Sequence, residues 1–439
     1  MTAFEDLGQT LRRIPLAHRF GRVETVGTVF VDVIGLGDQV RLGDQVALDR
    51  RDGGPIRGEI IALGPRHARI MTYVDCAGLG TRQPARLEPD QPILPCAGWQ
   101  GRIVDAFGAP LDGGQLPPGE RDMPIRAFAP PAAHRRSIGR RMHTGVAALD
   151  TMLPLARGQR IGIFAGSGVG KSTLLADIAR GARADRVVLA LIGERGRELR
   201  HFTHEVLGDE GLSRSVVVAA TADQSALVKR RAAWTAMAVA EYFRDQGEHV
   251  LLLVDSLTRM AEAHREVALT AGEAASLRAF PPSTSGLISG LAERAGPGLE
   301  GQGDITAVFS VLVAGSDMDE PVSDIARGVL DGHVVLDREI AERGRFPAID
   351  VRRSVSRSLP GVASEEENAL ILRARRVLGT YESAAPMIQA GLYTRGTDAA
   401  IDQAVEVWPR LDAFFARTGV PDEATAFAAL SACFDPAAN

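Results

Sequence analysis

The sequence predicts an α/β fold: a doubly wound, mostly parallel sheet, with a small β-barrel before it and helices after it. Three observations predict this. Apolar runs without polar alternation recur at 161–165, 187–192, 216–220, 250–254 and 305–313, with helical segments such as Ser225 to Gln246 between them. Strands that are apolar on both faces are covered on both faces, as in parallel, doubly wound sheets. The stretch "IGIFAGSGVGKSTLL", Ile161 to Leu175, joins one such strand to a helix through a glycine-rich turn. Residues 21–90 instead carry short β-rich runs ("RVETVGTVFVDVIG", "DQVALD", "IRGEIIALG", "HARIMTYV") parted by Gly, Asp and Pro, the pattern of a small barrel.

The chain has 439 residues, which suggests two to three domains. Residues 1–20 read as a short helix with Phe4, Leu7 and Leu11 on one face and Pro15 ending it: either a frayed terminus or a docking element. Residues 91–143 are rich in Pro and Gly and read as an irregular connector, with "RRSIGRR" (135–141) as its solvated basic part. The sheet domain runs over 144–360, and 361–439 read as a C-terminal helical domain. With 45% apolar and 24% charged residues and a net charge of −5, no global basic field draws the chain to nucleic acid. No run of about 18 apolar residues predicts a membrane span. The N-terminus lacks the apolar core of a secretory signal. Cys76, Cys96 and Cys433 have no metal spacing, which fits a reduced, cytoplasmic setting.

The strand–turn–helix context makes residues 165–173 a phosphate-binding loop. Backbone N–H groups of Gly166, Ser167, Gly168, Val169 and Gly170 can point inward at phosphates, and the helix N-terminus adds positive potential. Lys171 then contacts the phosphates, Ser172 a Mg²⁺ ion, and Thr173 the first helical turn. Ala165 stands where the motif has its first Gly. Hydrolysis needs more groups. Asp255 ends the strand "HVLLLVDSLTR"; it can anchor the metal or simply cap the following helix. Glu194, in "ALIGERGREL", also follows a buried strand; it can polarise water or belong to a solvated charge cluster. Arg357 ends "FPAIDVRRSVSR"; it serves equally as a surface cation or as a finger into a neighbour's nucleotide. His201 and His204 in "HFTHE" read as solvated helix histidines.

Beyond these readings, the chain resembles the rotary ATP synthase α/β subunit family and, more closely, its flagellar and type III secretion export ATPases. The resemblance rests on "TGVAALDTMLPLARGQRIGIFAGSGVGKSTLL", "LIGERGRE", "LLLVDSLTRMAEAHREVAL", "LAERAG", "VLDGHVVLDR" and "FPAIDVRRSVSR". With "GRIVDAFGAPLD" upstream and "AGLYTRGTDAAIDQAV" downstream, it covers nearly residues 20–415. It implies a RecA-like ATP hydrolase using Mg²⁺ and working as a ring, a hexamer, at the inner-membrane export gate. It implies a stator or regulator protein, export substrates and their chaperones as partners; the acidic net charge and the absence of aromatic-basic interleaving in 21–90 argue for no nucleic acid. Flagellar export is the first expectation, injectisome secretion the second and a proton-translocating synthase subunit the third. Lys171, Ser172, Glu194 and Asp255 match the family's phosphate lysine, metal-ligating hydroxyl, catalytic carboxylate and metal-anchoring aspartate. Glu198 matches a carboxylate near the metal's water, and Arg195 and Arg259 match residues that order this cluster. Arg357 matches the finger, and Phe346 the aromatic placed against adenine; the latter's residue type also suits a core position. The loop in 272–296 ("GEAASLRAFPPSTSGLISGLAERAG") departs from the family, which has more prolines, a Gly at Ala279 and "SVF" where "STS" stands. It faces the central pore in relatives.

Overall fold

The computed structural model of the chain describes residues 19–50, 53–89, 92–117, 119, 121–276, 279–313 and 318–435. Phe4, Leu7 and Leu11 lie outside them. By contacts the chain forms two compact units: residues 1–92, 223–231 and 261–284 in the first, 93–222, 232–260 and 285–439 in the second.

The first unit is built on a closed antiparallel barrel of β1 (Phe20–Val26), β2 (Phe30–Ile34), β3 (Gln45–Leu48), β4 (Ile56–Leu63), β5 (His67–Thr72) and β6 (Pro84–Glu88), in the order β1-β2-β5-β4-β3-β6. Alternate residues Val23, Val31, Val33, Val46, Leu48, Ile60 and Ile70 point inward and are buried. Each contributes about 1.5–3 kcal/mol of burial. Outside the barrel, Met71 packs with Ala226, Leu227, Ala263 and Val267.

The second unit is a nine-stranded sheet with helices. In chain order its elements include β7 (Ile103–Val104), the short pair β8 (Arg141–Met142) and β9 (Leu155–Ala156), β10 (Arg160–Ala165), α1 (Lys171–Gly181), β11 (Arg186–Glu194), α2 (Gly196–His201) and β12 (Ser215–Thr221). Then come α3 (Ala226–Asp245), which belongs to the first unit up to 231, β13 (Val250–Asp255), α4 (Leu257–Ala271), which belongs to the first unit from 261, α5 (Ser283–Arg294), β14 (Gly296–Pro297), β15 (Asp304–Leu312), α6 (Pro321–Val329), β16 (Gly332–Leu336) and β17 (Ile349–Ser356). Helices α7 (Glu365–Gln389), α8 (Ala399–Phe415) and α9 (Glu423–Ala432) follow. The sheet order is β17-β16-β10-β15-β13-β11-β12-β7, with β14 pairing β15. All these pairings are parallel except β14–β15 and β16–β17. The doubly wound, mostly parallel reading therefore holds, and every apolar run named from the sequence lies on a strand, except that Val313 falls one residue past β15.

Three local features differ from the sequence reading. Within 91–143, β7 extends the sheet and Trp99, Ile103, Val104 and Ala106 are buried, so this segment is part of the core. The basic stretch is not simply solvated: Arg135 donates to Ala295 O at 3.2 Å, Arg136 pairs with Asp304 at 2.6 Å, and Arg141 with Glu367 at 2.7 Å. Helices α7 to α9 share the sheet's apolar cluster, through Ile371, Ala374, Leu411, Phe414 and Leu430, instead of forming a separate core.

Candidate active site

The site begins where β10 stops. Ala165 is buried and its register partner is Leu312 on β15. The chain then turns through Gly168 (φ +77°) and Gly170 (φ +86°), left-handed conformations that favour glycine. Val169 points into the core and anchors the turn. Gly170 has a second constraint: a Cβ there would stand 3.0 Å from the Phe346 ring. α1 starts at Lys171, with Leu174, Leu175 and Ile178 buried and the Ser172 and Thr173 side of its first turn exposed. Its free N–H groups face the turn, the arrangement that binds anions.

The register of the neighbouring strands delivers the acids to the same edge. Asp255 ends β13 opposite Leu191. Its carboxylate accepts hydrogen bonds from the Lys171 ammonium and from Ser310 Oγ (2.6 Å), a β15 hydroxyl. Lys171 and Asp255 side chains are only 10% and 5% exposed, so neither charge is tolerable alone. β11 slips register between Ile192 and Glu194, where Gly193 adopts φ +72°. That bulge re-aims Glu194 at the strand's end. The Arg259 stem lies 3.4 Å from where a Gly193 Cβ would be, so it flanks this bulge.

Burial pushes the Glu194 carboxyl up to about 7. The Asp255 charge and a hydrogen bond with Glu198 push the same way, against the pull of Lys171. A carboxylate near neutrality is matched to taking a proton from water at working pH. Glu198 stands on exposed α2, within 3.5 Å of Arg195 and 3.9 Å of Arg197.

Lys171, Asp255, Glu194 and Glu198 are thus brought together, with Arg259 beside them and Phe346 on the loop. Phe346 is 49% exposed, so the core alternative for this residue is wrong: its ring is surface against Gly170. His201 and His204 are exposed, and His201 pairs with Glu205 at 3.3 Å. Arg357 is not at this edge. β17 runs antiparallel to β16, with Ile349 opposite Leu336 and Ser356 opposite Gly332. Leu336 in turn pairs with Ala165. β17 therefore starts beside the phosphate loop and ends at the far edge, about 17 Å away at roughly 3.3 Å per residue over β10. Sequence reasoning missed Ser310; it is one of two hydroxyl residues, with Thr306, inside the apolar run "ITAVFSVLV", and nothing in the sequence singled it out.

A glycine-rich loop and helix at the carboxyl edge of a parallel sheet, with lysine, aspartate and a near-neutral glutamate converging on it, define a P-loop nucleoside-triphosphate hydrolase. Residues 145–356 match the ATP synthase alpha/beta family, nucleotide-binding domain, and residues 363–426 the T3SS EscN ATPase C-terminal domain. The flagellum-specific ATP synthase of Caulobacter vibrioides is 42% identical over 414 residues, 93% of each chain. The Type 3 secretion system ATPase of Xanthomonas euvesicatoria is 41% identical over 411 residues, 93% of this chain and 91% of that one. The structure of the assembled ATPase EscN from enteropathogenic E. coli matches with a TM-score of 0.87 at 35% identity, covering 94% of this chain and 100% of that chain. The chain belongs to the ATP synthase alpha/beta family, in its branch of flagellar and type III secretion ATPases, and is an ATP-hydrolysing P-loop enzyme.

Proposed function

We propose that this protein hydrolyses Mg²⁺-ATP as a ring, a hexamer, and spends the energy on flagellar protein export. The observation that carries the catalytic part is Glu194, held at about 7 beside the Lys171–Asp255 pair. Residues 166–173 cradle the phosphates, with Lys171 turning from Asp255 toward them. Phe346 flanks the base. Glu194 orients and deprotonates the attacking water, while Arg195 and Arg259 hold the carboxylates in place. The donor set suits a hard divalent cation: the Ser172 hydroxyl on an exposed helix start and the Asp255 carboxylate, with Glu198 through water. When bound, Mg²⁺ neutralises phosphate charge. Arg357, on the far edge, completes the site of the adjacent protomer.

No helix among the described residues is long and apolar enough to cross a membrane. A cytoplasmic enzyme bound peripherally at the inner-membrane export gate fits this, with a stator or regulator protein, export substrates and chaperones as partners. A solved relative is in complex with its central stalk EscO, which supports an assembled working form here. Injectisome secretion is the second reading, because the secretion relative matches as well as the flagellar one. Deleting the chromosomal copy separates them: loss of filaments and motility fits the first, loss of effector secretion alone the second.

The chemistry is tested by separating binding from turnover. Lys171→Ala is expected to lose both tight ATP binding and hydrolysis. Glu194→Gln is expected to keep binding and lose turnover by about 10²-fold or more. Near-normal turnover in Glu194→Gln would remove Glu194 from the reaction.

A further inference from the structure

At the far end of β10 the side chains are organised around Asp331, which lies in the bend between α6 and β16. Its carboxylate accepts from the backbone N–H of Arg160 (3.0 Å), from Arg160 Nε (3.1 Å) and from Arg160 Nη2 (3.2 Å). Its own N–H donates to Arg160 O at 2.7 Å. Its carbonyl accepts from the Arg357 N–H and from Gln159 Nε2, each at 3.1 Å. The β10–β16 ladder begins only at Gly162 opposite His333. Asp331 therefore extends the join one step past the strands, and it does so with a charge-assisted fan that strand pairing does not require.

The same knot fixes the residues on either side of Arg357. Gln159 Nε2 also donates to Ser356 Oγ at 3.2 Å. Ser356 Oγ and Ser358 Oγ reach Pro154 O at 2.6 and 2.9 Å. Arg160 has its second carboxylate in Glu293, at 2.6 Å. The Arg357 guanidinium contrasts with this. It is exposed, and among the described residues its one hydrogen-bond acceptor is Arg327 O, at 3.4 Å. Among the described residues no carboxylate pairs with it. A pinned backbone that carries an unpaired cation outward is a preorganised donor: its ordering cost is met by folding and not by the reaction.

We propose that Asp331 is a positioning residue for Arg357, setting the rate of the adjacent protomer's site and not of its own. The inference rests on the reading of Arg357 as a finger in trans. Loss of the Asp331 carboxylate lets the 356–358 turn drift, and misplacement by about 1 Å costs on the order of 10²-fold in rate. The protomer's own phosphate loop, at the other end of β10, keeps its contacts.

The test uses full-length Asp331→Ala and the nearly isosteric Asp331→Asn, with Arg357→Ala alongside. Nucleotide affinity, KM and kcat are measured for each alone and after co-assembly with Glu194→Gln. Asp331→Ala is expected to lose about 10- to 100-fold in kcat with ATP affinity and KM within about twofold, and Asp331→Asn to lose less. Mixing Asp331→Ala with Glu194→Gln is expected to recover hydrolysis, since an intact finger then faces an intact Glu194. Near-normal kcat, or lost ATP affinity in both Asp331 variants, would overturn the proposal. So would a silent mixture where Arg357→Ala with Glu194→Gln recovers, because Asp331 would then act within its own subunit. If Arg357→Ala alone turns over normally, the finger reading fails first and takes this proposal with it.

Discussion

β10 has a crowded end and a settled end. At its carboxyl end Glu194 and Glu198 crowd the Lys171–Asp255 pair, and burial, then the Asp255 charge, lifts Glu194 to about 7. At its amino end Arg160 is matched by both Asp331 and Glu293, while Arg357, which pairs with no carboxylate among the described residues, faces outward. The two ends are complementary in charge. The crowded end gathers three carboxylates and the settled end presents a cation, at the end of a strand too far away to serve its own loop. In the proposed ring, which joins unlike edges of successive copies, each end would meet its complement in a neighbour.

The comparison can be broken at the crowded end first. Ser310→Ala removes the neutral donor to Asp255 and leaves its charge to Lys171 alone. Turnover is expected to fall about tenfold with the fold intact, from loss of a hydrogen bond to a charged group. Unchanged steady-state hydrolysis would show that Asp255 is held without it.

The same end carries a pH signature. Glu194 binds its proton more tightly folded, at about 7, than as a free carboxyl at 4.5. Its contribution to stability is therefore complete below pH 4.5 and is lost as pH rises through 7. Glu194→Gln is expected to stabilise the nucleotide-free protein at pH 8 by about 1–2 kcal/mol, less than full linkage because the group is partly exposed. The gap should close near pH 4.5 in denaturant titrations; a gap that stays constant with pH would contradict the assignment.

The smallest effect lies in the barrel unit and has the opposite sign. Burial, then the Arg230 charge, lowers His264 to about 4 against the weaker pull of Glu273. Its imidazole is held between Arg230 and Ser283, at 3.4 and 2.8 Å. Its stabilisation is present above pH 6.5 and lost as pH falls toward 4. His264→Gln keeps a donor and an acceptor there, so thermal melts between pH 6.5 and 4 are expected to flatten slightly while pH 8 melts stay unchanged. His249, also lowered to about 4, keeps part of the acid sensitivity in that variant.

Much of the crowded end was legible in the sequence, because local order carries it. An apolar run predicts a buried strand, and the residues at or just past its end fall at the sheet edge; Ala165, Glu194 and Asp255 all follow that rule. The settled end was not legible. Asp331 meets Arg160 across 171 positions and Arg357 across 26, and only the antiparallel register of β17 puts Arg357 opposite the phosphate loop. β6 and β7 were missed for a different reason: "PARLE" and "IV" are too short to show a period. At Ala279 the departure from glycine has a physical face, since φ is +66° there. Left-handed alanine costs about 1–2 kcal/mol, so a glycine would fit that backbone without strain.

The central claim is that one active site takes its phosphate loop and Glu194 from one protomer and Arg357 from the next. The most direct measurement is ATP turnover of a one-to-one co-assembly of Arg357→Ala with Glu194→Gln, with subunit exchange verified by fluorescence. Each variant alone is expected to be nearly inactive, with about 10³-fold lost for the finger. In mixed rings about a quarter of interfaces carry Lys171, Glu194 and Arg357 together, so turnover should rise above that of either variant. Verified mixed rings with no recovery, together with normal hydrolysis by Arg357→Ala alone, would leave Arg357 a surface cation and the composite site without support.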